Sequence, residues 1–270
     1  MNKELEKLFD DWHKSNCWRM DSSYKSKEKE VFVTDGFIKY DKYKESNKKI
    51  LFISKEAHLG NEENRDKVGD GTRINLIDDV RENGEIITPR IFWTRLAEWS
   101  YALLNTTDDR LASIGDVECM EGLYSKLTGD KELNRVNLNK SDALSRVAVI
   151  NLKKAAGDTT TEQDKYSNFL DSLKDKETYI NYLKNEINII NPEIIVCCGT
   201  FEIFRNGIIK DKSKLIQEKN RLYRLNSNEN KSCIAVIDYL HPSARVNSDL
   251  AFYGIASIIQ SSYKERKQYI

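Results

Sequence analysis

Along the chain, apolar positions recur either every three or four residues or in short unbroken runs, and the two patterns alternate. The first belongs to helices with one buried stripe, the second to strands buried on both faces. Leu5, Leu8, Phe9 and Trp12 predict an amphipathic helix at the start. Phe92, Leu96, Trp99 and Leu103 predict a second, opened by Pro89, and Ile180, Leu183, Ile187 and Ile190 a third that Asn191 and Pro192 stop. Residues 248–263 predict a closing helix, and Thr159 with Glu162 reads as a capping box that starts a further one. Four runs read as strands: residues 49–54 (KILFIS), 146–151 (RVAVIN), 193–198 (EIIVCC) and 233–238 (CIAVID). Helical patterns separate most of them. That alternation predicts an α/β fold of three layers, α/β/α, around a central four-stranded parallel sheet.

At 270 residues the chain suits one domain with polar insertions at about 60–84 and 106–141, the first of which reads equally as a loop over a site or a plain solvated insertion. Lysine plus arginine and aspartate plus glutamate both total 43, so no global field draws the protein to nucleic acid or to an anionic membrane. Any DNA contact must come from a local patch. The opening MNKELEKLFDDW lacks a secretory core and no run approaches a membrane span, so the sequence predicts a cytoplasmic protein with no membrane partner. Cys17, Cys119, Cys197, Cys198 and Cys233 show no C-x-x-C spacing, which predicts reduced thiols and neither a disulfide framework nor a metal site.

In open parallel sheets ligands bind beyond the carboxyl ends of the strands. The first run is followed by Lys55, Glu56, Ala57 and His58, the second ends in Asn151, the third runs into Gly199 and Thr200, and the fourth leads through Asp238 to His241, Pro242 and Ser243. A carboxylate, an amide and an imidazole are thereby predicted to converge on one crevice.

The islands ILFISKEA, VAVINLKK, PEIIVCCG and HPSAR, in that order, resemble the uracil-DNA glycosylase superfamily. That family carries a motif after its first strand, an Asn-bearing strand, a P-x-x-I-x-x-x-G strand and a late H-P-S loop. The resemblance spans about residues 49–245 and implies a uracil-DNA glycosylase-like fold that excises a base from DNA without cofactor or metal. It matches Glu56 to the acidic position that orients water, Asn151 to the amide that reads the base edge and His241 to the imidazole facing the leaving base. Two departures stand out: the Gly that opens the first motif is Ser54 or Lys55 here, and its Pro is His58. The iron–sulfur cysteines of one branch are missing.

The residue types suit that chemistry by themselves. Breaking an N-glycosidic bond leaves positive charge on the sugar and negative charge on the base, so a site needs a carboxylate near one and a donor at the other. Each residue also has a plainer reading: Glu56 as a surface carboxylate at a helix start, Asn151 as a strand-end turn former, His241 as a loop histidine held by Pro242. Phe92 and Trp93 are candidates to stack on an extruded base, Trp93 the better because it lies about 100° off the core stripe, though plain packing explains both. His58 is a candidate substrate contact, whereas His13 reads as structural. Lys153, Lys154, Ser243 and Arg245 are candidate phosphate contacts, with Gly199 letting a helix N-terminus approach the ligand and Thr200 capping it. The substrate of such an enzyme would be uracil, another damaged base or a bulky modified base such as those in phage DNA, in repair or in defence. The competing expectations are a catalytically inert nucleic-acid or nucleotide-binding module on the same fold, and an α/β hydrolase or transferase acting on a small nucleoside.

Overall fold

A computed structural model describes residues 2–19, 30–58, 69–82, 85–86, 91–116, 138–157, 169–226 and 233–266. Helix α1 (Lys3–Ser15) is capped by Asn2, whose side chain accepts the Glu4 N–H at 2.9 Å. Strands β1 (Phe32–Thr34) and β2 (Gly36–Phe37) are separated only by Asp35, and helix α2 (Tyr40–Glu45) leads into β3 (Ile50–His58). Then follow β4 (Arg73–Asn75), the short pair β5 (Arg81–Glu82) and β6 (Glu85–Ile86), helix α3 (Ile91–Asn105), helix α4 (Leu138–Ser145) and β7 (Ala148–Gly157). Helix α5 (Lys176–Ile190) precedes β8 (Ile194–Cys198), and a helical turn at Phe201–Ile203 runs into a π-turn at Phe204–Ile209. Strands β9 (Leu215–Lys219), β10 (Leu222–Asn226) and β11 (Cys233–Tyr239) and helix α6 (Ser248–Arg266) complete the chain.

The four predicted runs are adjacent and parallel, in the order β7-β3-β8-β11. Their alternate residues face opposite ways, as the pleat requires. Leu51, Ile53, Ala148, Ile150, Ile195, Cys197 and Val236 pack with α1 and α5. Phe52, Val149, Val196, Cys198, Ala235 and Ile237 pack with α3 and α6 on the other side. Helices therefore flank a mostly parallel sheet on both faces, and continuous apolar runs are what such strands need.

The predicted sheet of four strands is too narrow: among the described residues it has nine. One edge gains β1, β2 and β4, and the other gains the antiparallel hairpin β9–β10. These strands are two to five residues long: the apolar run at β1 is only three residues, Val31 to Val33, and β9 buries only Leu215, so none carries a run as long as those of the four. The first predicted insertion is likewise not all loop, since β4 within it pairs with β1. The first two runs also extend further than their apolar residues, β3 through His58 and β7 through Gly157, because polar side chains there find partners inside the protein. The capping box at Thr159 and most of the second insertion lie outside the described residues. Asn191 ends α5 in the left-handed conformation, at φ 50°, a helix end that asparagine tolerates, and Pro192 cannot continue the helix. Among the described residues no helix is long and apolar enough to cross a membrane.

Candidate functional site

The strand register fixes which residues stand side by side. Asn151 pairs with Ser54, Ile53 with Cys197, and Cys198 with Tyr239, so one row runs Asn151, Ser54, Cys198, Tyr239 across the sheet. Two residues further on, Lys153 pairs with Glu56, and the continuing chains bring Thr200 and His241 to the same end. With strands about 4.8 Å apart, β3, which carries Glu56, and β11, which leads into His241, lie roughly 10 Å apart across the sheet. By alternation Ser54, Glu56, Asn151 and Lys153 lie on the Phe52 and Val149 side, beneath α3.

Glu56 is thus a strand residue, not a carboxylate at a helix start. Its side chain is almost wholly buried, and its Oε2 accepts a hydrogen bond from Lys153 Nζ at 2.6 Å. Lys153, expected on phosphate, is committed to this ion pair. Asn151 is mid-strand and 2% exposed, and its Nδ2 has no hydrogen-bond partner among the described residues. A buried donor left without an acceptor costs about 1–3 kcal/mol, so this amide favours an accepting atom of a bound water or ligand.

His241 follows β11 and is half-buried. The Ser243 N–H donates to its Nδ1 at 3.2 Å, so the neutral ring carries its proton on Nε2. Beneath it, Gly199 has φ 69° and lies so close that a Cβ there would sit 3.5 Å from the His241 Cβ; the left-handed backbone is what calls for glycine. Phe92 of α3 flanks the imidazole at 5.9 Å between ring centroids. The expectation for the neighbouring aromatic fails: Trp93 is 2% exposed and sits in the core. Helices α4 and α6 cover α3 beyond its apolar stripe, so the Trp93 side is inside too, and Phe92 is the ring at the site.

The structure redistributes the predicted anion contacts. Lys154 has no exposed side-chain surface and lies on the opposite face, where its Nζ donates to Asp35 at 2.5 Å and to Glu186 at 3.0 Å. A lysine held there cannot meet a phosphate. Thr200 caps nothing: its hydroxyl donates to the Ile53 carbonyl at 2.8 Å, tying β8 to β3, and the helical turn behind it is too short to present an N-terminus. Ser243 and Arg245 are exposed beside His241, as a DNA contact requires. The backbone of His58 pairs with Gly157 at the end of β3. His13 is structural as expected, its Nε2 against the Gly71 carbonyl at 2.8 Å.

Arg95 is the residue the sequence reading missed at His241. Buried on α3, it donates to the carbonyls of Pro242 (2.9 Å), Ala244 and Val246 (2.7 Å), so one guanidinium holds the whole loop after His241. A charge among Trp93, Leu96 and Ala97 was the available signal, since a buried arginine must have partners. Arg95→Met is expected to cost about 2–3 kcal/mol by stranding those carbonyls. Hydrogen exchange should then accelerate in residues 241–247 before it does in the sheet.

Set against models of known protein families and against curated proteins, the chain matches none.

Proposed function

We propose that the protein is a DNA glycosylase that hydrolyses the N-glycosidic bond of a base turned out of the DNA strand. The observation that carries this reading is the buried Asn151 amide, whose Nδ2 has no partner among the described residues and which stands one row behind the acidic side chain of Glu56 on the same face of the sheet. An amide offers a donor and an acceptor together, the pattern that reads the edge of one base against another. Glu56, held by Lys153, is placed to orient a water and take its proton as the oxygen bonds to the anomeric carbon. The bond to the base breaks with its electron pair leaving on the base, where the His241 Nε2–H meets the developing charge. Phe92 supplies an aromatic face beside the imidazole.

The order of the sequence islands supports a divergent uracil-DNA glycosylase-like fold, with its parallel core widened at both edges. In this reading the partner is DNA, gripped locally near Ser243 and Arg245 rather than by overall charge. The Glu56–Lys153 pair favours the second reading, an inert nucleic-acid-binding module, because it occupies the carboxylate that hydrolysis needs.

Oligonucleotides bearing uracil, other damaged bases or bulky modified bases decide between the two. Abasic sites revealed by alkali, on one class of base and not others, are the expected result. Binding of the same oligonucleotides without any released base would replace the glycosylase with the module.

A further inference from the structure

Among the described residues, strand β7 has β3 along one side, but on the other only β2, opposite Ala148 and Val149, and β1, opposite Ala155. In the gap between those two short strands, side chains replace the missing ladder. Asp35, which joins β1 to β2, accepts the Asn151 N–H on Oδ2 at 2.7 Å. The Tyr179 hydroxyl accepts the Lys154 N–H at 2.8 Å and donates to the Leu152 carbonyl at 2.6 Å. The second oxygen of Asp35 takes Lys154 Nζ, which also reaches Glu186, and none of these three side chains has exposed surface.

A fully buried ion cluster is a weak source of net stability, since apolar side chains of similar volume often do as well. What it does supply is a fixed point: an anchored carboxylate cannot rotate away from the amide it holds. We infer that Asp35 is a positioning residue that sets the backbone of Asn151, and through it the aim of the Asn151 amide, so that base discrimination depends on a carboxylate the base never touches. The inference rests on the base-reading role proposed for Asn151 and deepens it.

Two paired variants test it, each removing one buried positive and one buried negative charge together. Asp35→Asn with Lys154→Met leaves an oxygen to accept the Asn151 N–H; Asp35→Leu with Lys154→Met leaves none. Single-turnover excision is measured for the preferred base and for its best competitor. The first pair is expected to keep wild-type discrimination within about threefold and the second to lose roughly tenfold or more, and adding Asn151→Ala should erase the difference between them. Equal discrimination in the two pairs overturns the inference, and so does a difference that survives Asn151→Ala, because Asp35 would then serve the fold alone. Should the leucine pair not fold, hydrogen exchange at the Asn151 amide decides: protection matching the neighbouring sheet amides is expected, and loop-like exchange overturns the anchor. A wild-type protein that releases no base overturns the glycosylase reading itself. Excision with unaltered discrimination overturns only the role of Asp35.

Discussion

Replacing Lys154 by methionine is expected to lower the unfolding free energy by about 3–5 kcal/mol, seen as a shift of the urea midpoint without loss of the cooperative transition. The size follows from what the change strands. Lys154 Nζ stands between Asp35 and Glu186 with no solvent in reach, and the rings of Phe9 and Trp12 lie 5.4 Å from it. Methionine fills the same space but leaves two buried carboxyls facing each other. One must take a proton or both must repel. Adding Asp35→Asn to Lys154→Met removes that conflict and should recover much of the loss, whereas independent sites would only add theirs.

The same cluster gives stability a pH dependence whose direction is fixed. Burial, with Asp35 adding to it, pushes the Glu186 carboxyl well above the ordinary range despite Lys154 beside it. The folded protein therefore holds a proton there that the unfolded chain releases. That contribution is complete below the unfolded value of about 4.3 and is lost as pH rises toward the raised folded value. With Asp35→Asn, Glu186 becomes the sole counter-charge to Lys154 and this part of the slope should flatten.

The parallel core was legible because strands buried on both faces must be apolar throughout, and residues 50–53, 194–198 and 233–237 are nearly so. The edge strands escaped notice because they are too short or too wet to mark a period: β1 and β2 are buried but span only three and two residues, β4 is part-exposed along its length and β10 buries only Leu222. At the site, the residue types Glu56, Asn151 and His241 could be read, but their partners could not. Which lysine pairs with Glu56 depends on register: Lys153 falls on its face and Lys154 on the other. Side chains one residue apart on a strand point to opposite faces, so two adjacent lysines took two unrelated roles. Asp35 and Arg95 sit beside buried apolar residues in VTDGF and WTRLA, and Glu186 falls between Leu183 and Ile190 on the apolar face of α5. A charge on a buried stripe signals a buried partner without saying which. Trp93 failed for a different reason: a stripe drawn from one helix face assumes the other faces are wet, and α3 is enclosed on several sides.

If the protein is the glycosylase proposed above, His241→Ala should cut single-turnover excision by roughly 10²-fold or more while changing DNA affinity little. Negative charge appears on the base only as the glycosidic bond breaks, so a donor aimed there acts mainly in the transition state. The geometry gives the donor its direction. With the Ser243 N–H on Nδ1, the neutral ring offers Nε2–H, and Phe92 flanks the imidazole on one side. Arg95 holds the loop that carries Ser243, so the Arg95→Met protein should lose part of the same rate, and adding Arg95→Met to His241→Ala should lower the rate little further. Asn151→Ala provides the contrast. Its amide would touch the base before and during the reaction, so its loss should weaken both rate and discrimination, whereas His241→Ala should slow every cleavable base alike. Full excision by the His241→Ala protein would remove the imidazole from the mechanism and leave the stabilisation of the leaving base to some other donor.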